Sequence, residues 1–340
     1  MRLLILQAAA VWGLAAGDFH QAAIHQFAGE RVQGAAWQPG QRTLFTWGDR
    51  VVAWTLPGGV SRVIVPAGAL GFQEGGCLVD VDGDGVQDLV LQEAPKAGTA
   101  LGRMVWLRMP RGPLREIDTE SDFHDCLETT LHGRRGLLVI HRQAQVRFYE
   151  FAGGRWSYRE IYSIYTPSRQ GGLLVQDIDA DGLPDILCGN YWIRSPAAFD
   201  LPWRLFAINN WWDQTDSAML RLAWNGSLIA AQRESSPARM ARFDRPTDPA
   251  QLWTARPTSA EPPLHRVQAL AAAGSMVVAG ENHGAGSRLL LLESGKKPEL
   301  LGISRGFLHV WIVDLDGDGL SDILAAGRDS IESWKNQRRK

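Results

Sequence analysis

The chain has 340 residues, 45% hydrophobic and 21% charged, with a formal net charge of −2. That balance belongs to an ordered, well-cored protein and excludes a disordered chain. Basic residues are scattered, apart from the terminal Arg338, Arg339 and Lys340, so there is no electrostatic footprint for nucleic acid.

The chain opens with Arg2 and an uncharged apolar run from Leu3 to Ala16, followed by the small residues of Ala15-x-Gly17. This pattern is expected to be a signal peptide over residues 1–17, with one domain over 18–340. No later stretch of 18 apolar residues exists, so no membrane span is expected. A lone strand is expected around Ala22 to Phe27. Residues 31–60 read as strand–turn–strand through AAW, TLFTW and VVAWTL. Residues 70–118 supply CLVDV, DLVLQ, MVWLRM and LREI. Residues 122–162 supply DCLETTL, GLLVIH, VRFYEF and SYREIY. A fourth unit starts near Gly171 and becomes irregular around SPAAFDLP. A fifth spans about residues 211–260, with an NGS turn that is also a glycosylation sequon at Asn225. A sixth holds HRVQALAA, MVVAGE and SRLLLLE. A seventh holds FLHVWIV, DILAAG and SIESWK, then stops one strand short.

Three units share the nonapeptide Asp-x-Asp-x-Asp-Gly-x-x-Asp: DVDGDGVQD from Asp80, DIDADGLPD from Asp177 and DLDGDGLSD from Asp314. Their starts lie 97 and 137 residues apart, which units of about 46–49 residues divide into two and three. About seven such units fill the chain. Short strands at this spacing, with Gly, Asp and Asn turns, specify an all-β fold. It is read as a seven-bladed β-propeller of four-stranded antiparallel blades. The N-terminal strand supplies the strand that the last blade lacks, and closure hides sheet edges.

The chemistry of the nonapeptide is that of calcium, which takes six to eight hard oxygen ligands. The expected ligands are Asp80, Asp82, Asp84 and Asp88 in the first loop. In the second they are Asp177, Asp179, Asp181 and Asp185, and in the third Asp314, Asp316, Asp318 and Asp322. The backbone carbonyl of Val86, Leu183 or Leu320 completes each set. Gly85, Gly182 and Gly319 give the backbone the freedom that the turn needs. An EF-hand is excluded, because its twelfth-position Glu is replaced by Leu91, Cys188 and Ala325 and the flanks are β-rich. The stretches CLVDVDGDGVQDLVL, LLVQDIDADGLPDILCG and VWIVDLDGDGLSDILAAG resemble the integrin-alpha-type FG-GAP and VCBS repeat family. The resemblance covers blades two, four and seven. It implies about three structural Ca2+ sites in the loops joining first and second strands, and a secreted, periplasmic or cell-surface location.

Blade entries and second-to-third hairpins define the opposite face. They carry His124, Arg169, Trp211, Trp212, His265 and His309, with Glu93, His141, Asn190, Tyr191, Glu234, Glu281 and His283. His124, His265, Glu281, His283 and His309 are the catalytic candidates, since a His–Glu pair can move a proton. The same residues also serve as strand caps and interblade contacts in a repeat. Trp47, Trp54, Trp106, Trp192 and Trp334 are expected to pack between blades. Three cysteines cannot pair completely: buried free thiols are the simpler reading, and a Cys77–Cys126 bridge the other. No nucleophile elbow, phosphate loop, dinucleotide loop or Cys-x-x-Cys pair is present. The leading expectation is a calcium-stabilised recognition or scaffold module for carbohydrate or an extracellular protein, with no oligomer specified. The alternative is a polysaccharide lyase or sugar dehydratase on the His-rich face.

Overall fold

Short runs of Val, Leu, Ile and Trp between Gly and Asp turns fold as antiparallel strands, four to a sheet, and seven sheets result. The structure is a computed structural model. It describes residues 19–337 apart from 28, 30, 97–100, 111, 143, 165–168, 212–218, 259 and 294–295. The expected signal peptide and Trp212 therefore lie outside the described residues.

Strand β1 (Phe19–Gln26) comes first and is used last. Blade one holds β2 (Val32–Gln38), β3 (Thr43–Gly48), β4 (Val51–Thr55) and β5 (Val60–Val65). Blade two holds β6 (Leu70–Val79), β7 (Asp88–Pro95), β8 (Gly102–Leu107) and β9 (Leu114–Ser121). Blade three holds β10 (Phe123–Leu131), β11 (Arg134–His141), β12 (Gln145–Ala152) and β13 (Arg155–Ser163). Blade four holds β14 (Leu173–Gln176), β15 (Asp185–Cys188), β16 (Tyr191–Arg194) and β17 (Arg204–Ala207). Blade five holds β18 (Leu220–Trp224), β19 (Leu228–Gln232), β20 (Met240–Asp244) and β21 (Thr254–Pro257). Blade six holds β22 (Val267–Ala273), β23 (Met276–Glu281), β24 (Ser287–Glu293) and β25 (Glu299–Ser304). Blade seven holds β26 (Phe307–Val313), β27 (Asp322–Gly327) and β28 (Ser330–Asn336), and β1 pairs antiparallel with β28 to complete it. The seven-bladed propeller closed by an N-terminal strand is thus the observed fold. The closing strand starts three residues earlier than Ala22 because Phe19 is buried in the core between blades six and seven.

Each of the seven apolar clusters is shared by two neighbouring blades, and the cluster of Leu44 and Val52 with Leu324 and Ile331 joins blade one to blade seven. Trp47, Trp106, Trp192 and Trp334 are fully buried in these layers, as expected of side chains that each remove about 150–250 Å² from water. Two also tie blades by hydrogen bonds. Trp47 Nε1 donates to Gln73 O at 2.9 Å, and Trp334 Nε1 to Leu301 O at 3.1 Å. One sequence expectation is corrected. Cys77 and Cys126 are not free thiols but a disulfide between β6 and β10, the first strands of blades two and three, with Cα atoms 5.8 Å apart. Equivalent positions on adjacent first strands bring the two Cβ atoms within bonding reach. Cys188 stays a buried free thiol.

Candidate functional site

The three nonapeptides join first to second strands of blades two, four and seven, and each folds back on its own carboxylates. In the first loop Asp80 accepts the N–H groups of Gly83 at 2.9 Å and Gly85 at 3.0 Å. Asp177 accepts Gly182 N–H at 3.0 Å, and Asp314 accepts Gly317 and Gly319 at 2.6 and 2.9 Å. The fifth residue does the same locally: Asp84, Asp181 and Asp318 accept the N–H of Val86, Leu183 and Leu320. The sixth-position glycines have φ of 84°, 86° and 81°, the left-handed conformation that the turn was expected to need.

Carboxylate oxygens converge in all three loops. Those of Asp80, Asp82 and Asp84 lie within 4.8 Å of one another, as do those of Asp177, Asp179 and Asp185, and of Asp314, Asp316 and Asp322. Hard oxygen donors in this density suit a divalent cation such as Ca2+. Asp82 Oδ1 and Asp179 Oδ1 are buried with no hydrogen-bond partner among the described residues, so the donor set fits a cation. The ninth residue differs from the rest because it is buried. Asp185 accepts Ile178 N–H at 3.0 Å and Ser195 N–H at 2.7 Å; Asp322 accepts Leu315 and Asn336 N–H at 3.1 and 2.9 Å. Asp88 instead takes Trp106 Nε1–H and Met109 N–H, both at 2.8 Å, and stands outside the first loop's cluster. Burial raises the pKa of all three, that of Asp185 to about 6.

Each loop also faces a base from the end of its own blade's third strand. Arg108 Nε lies 2.9 Å from Asp82, Arg194 Nε 2.5 Å from Asp179, and Lys335 Nζ 2.6 Å from Asp316. Lys335 accordingly holds Asp316 below the usual carboxylate range. Asp84 is lowered first by its bond from Val86 N–H and then by Arg108.

A second charged assembly sits on the axis. Glu74 of blade two meets Arg221 and Arg233 of blade five, with Arg221 Nη2 at 2.8 Å, and accepts Gln268 Nε2 of blade six at 2.8 Å. Arg221 Nη1 also reaches Asp125 of blade three at 2.7 Å. This plug crosses the channel and joins blades two, three, five and six. Bulges in the first strands aim its members. The register of β6 skips between Phe72 and Gly76, and that of β22 between Val267 and Ala269, which places Glu74 and Gln268 at extra, unpaired positions. Beside the plug a cavity of about 440 Å³ runs along β18, β22 and β26 to Trp224, Ala272 and Val313, the residue before the third acidic loop.

The structure brings His265, Glu281 and His283 together in blade six and sets His124 and His309 at the axis. The rings of His265 and His283 lie 5.5 Å apart, and His283 Nε2 is 3.4 Å from Glu281. Glu281 is fully buried. It accepts Arg288 Nη2 at 2.7 Å, Arg288 Nε and N–H at 2.9 Å, and His265 N–H at 2.9 Å. Burial raises its pKa, but these donors outweigh it and hold the carboxyl below its usual range. His124 Nε2 is 2.7 Å from Gln170 O. His309 stacks on Trp311 at 5.8 Å beside the cavity, and burial, aided by Arg221, lowers its pKa to about 3. Of the other residues on that face, Arg169 pairs with Asp122, Glu93 with Arg103, and Trp211 packs on Phe243.

Glu74, Arg221 and Arg233 of the plug, with the three loop-facing bases, have no motif in the sequence. The bases follow hairpins of different length, so no fixed spacing marks them. What they share shows only in the structure: each immediately precedes the residue whose N–H binds the ninth carboxylate.

No family model and no curated protein matches the sequence. Solved structures match the fold. The crystal structure of Saccharomyces cerevisiae Sqt1 is similar with a TM-score of 0.61 at 10% identity, over 93% of this chain and 98% of that one. At that identity the likeness shows the propeller fold and nothing finer. Among the described residues no helix is long and apolar enough to cross a membrane.

Proposed function

We propose that the chain is an exported, calcium-stabilised propeller of the FG-GAP and VCBS kind that serves as a recognition or scaffold module. The observation that carries this reading is the convergence of three carboxylates in each of three equivalent loops. Carboxylates held this close repel one another, and a divalent cation relieves that repulsion. Asp80, Asp82 and Asp84 would hold one ion, Asp177, Asp179 and Asp185 a second, and Asp314, Asp316 and Asp322 a third. The cation supplies cross-linking charge to each loop rather than a reacting centre. The Cys77–Cys126 bridge supports export, because structural disulfides persist in oxidising compartments. The axial cavity supports recognition of a carbohydrate or an extracellular protein segment, with a polar end at Asp125, Arg221, Gln268 and His309 and apolar walls. The lyase or dehydratase alternative needs a free base beside a histidine, and Glu281 has both oxygens engaged by Arg288 and His265.

Thermal melts of the full chain test the metal. With calcium at 100 times its Kd, each site adds about 2.7 kcal/mol of stability. Chelator should therefore lower Tm by several degrees, and an unchanged melt removes the calcium assignment. Glycan-array binding by the same protein tests the carbohydrate partner.

A further inference from the structure

Resting on the calcium reading above, one regularity of the blades goes beyond it. The ninth carboxylate of each loop is bonded to one backbone N–H at or just past the end of the third strand of the same blade: Met109, Ser195 or Asn336. The residue just before that N–H is basic in every case: Arg108, Arg194 or Lys335. The bond that anchors the ninth residue thus delivers the preceding side chain to the third. An arginine also lies against the backbone of the second loop, Arg245 at Ile178 O, and of the third, Arg42 beside Gly317. The three loops nevertheless differ in how many of their carboxylates a base meets. In the first, Arg108 pairs with Asp82 and, at 3.0 Å, with Asp84. Arg135 of blade three reaches Asp80 at 3.1 Å while also bonding Glu128. All three clustered carboxylates of that loop are therefore met by guanidinium groups. In the second loop one arginine meets Asp179 at 2.5 Å and Asp181 at 3.5 Å. In the third, one lysine meets Asp316 alone.

We propose that these bases are built-in counter-ions that compete electrostatically with the divalent cation and grade the three sites, the third loop binding most tightly and the first most weakly. Like charges held a few ångströms apart oppose each other, so each retained base weakens cation binding at its loop. The same base replaces part of the cation's effect in its absence, which keeps the loop folded between loading events. Arginine and lysine are not equivalent in this role. The planar guanidinium spans two carboxylates, whereas the ammonium is a point charge on one. On their carboxylates the first and second loops carry the fork, and the third carries the point.

Calcium titration of the full chain by isothermal calorimetry tests the grading, comparing the unaltered protein with Arg108→Gln, Arg194→Gln, Lys335→Gln and Lys335→Arg. Each Gln variant should tighten one of three binding steps by roughly three- to tenfold, with Arg108→Gln acting on the weakest step. Lys335→Arg should loosen the tightest step. Melts give an independent readout. In chelator the Gln variants should unfold at lower temperature than the unaltered chain, and in saturating calcium that gap should close or reverse. Unchanged or weakened calcium binding in the Gln variants, with the unaltered chain still binding, overturns the counter-ion role and leaves the calcium reading intact. Absence of binding heat in the unaltered chain and in every variant overturns both.

Discussion

The acidic loops and the axial plug are built from the same parts, carboxylates against guanidinium groups, and they behave differently because of balance and burial. In the plug Glu74 and Asp125 face Arg221 and Arg233, two charges against two, with the arginine side chains only 13% and 8% exposed. In the loops three carboxylates face one or two bases open to water. A balanced pair away from water is a fixed staple whose members depend on each other. An unbalanced cluster in water retains charge, and a mobile cation can neutralise it. The plug therefore fixes how opposite blades sit, and the loops are where solution conditions act.

The contrast breaks most sharply at Glu74. Glu74→Leu leaves two arginines without their shared partner and should cost about 3 kcal/mol, read as a lower midpoint in urea unfolding. Adding Arg233→Met should recover part of that loss. An additive double variant would show that the plug is not a coupled unit.

His141 offers a third environment, buried with neither balance nor water. It is 1% exposed, neither ring nitrogen has a partner among the described residues, and its pKa is lowered to about 4 by burial first and then by Arg147, with Arg142 adding and Asp118 and Asp122 opposing. Its folded pKa lies below the unfolded value near 6.5, so the unfolded state takes up the proton first. The contribution is fully present above about pH 6.5 and is lost as pH falls toward 4, on the order of 3 kcal/mol. Denaturant midpoints from pH 7 to pH 4 should fall, and His141→Phe should flatten that part of the slope.

The smallest effect should come from the link between the two kinds of environment. Asp322 is buried like the plug yet belongs to a loop. Asp322→Asn turns one acceptor into a donor facing a backbone N–H and should cost about 1–2 kcal/mol in chelator. An equal loss at Asp316→Asn under the same conditions would show that Asp322 has no anchoring role beyond its place in the cluster.

Much of the fold was legible because its signals are local. The repeat spacing, the alternating strands and the missing last strand require only neighbours in sequence, and the turns at Gly85, Gly182 and Gly319 follow from the chirality of the backbone. The convergence of loop carboxylates was legible for the same reason, since all the groups lie within nine residues. The second role of the ninth residue was not. Asp185 and Asp322 join the carboxylate clusters of their loops as expected and Asp88 stands outside its own, but all three are also buried and bonded to the end of the third strand, in a hairpin whose length varies from blade to blade. The choice between a bridge and free thiols at Cys77 and Cys126 also needed the alignment of two neighbouring first strands.

By itself, then, the sequence determined the blade, its repetition, its closure and the acidic loops, because these depend on short-range geometry and on the pattern of apolar side chains. Only the tertiary structure decided what meets at the axis and what faces each loop. Glu74, Asp125, Arg221 and Arg233 come from three blades on opposite sides of a ring, two of the first strands involved reach the axis through bulges, and the loop-facing bases arrive by unequal hairpins. Such contacts are set by ring closure and local bulging, which place residues far apart in the chain side by side and leave no periodic trace in it.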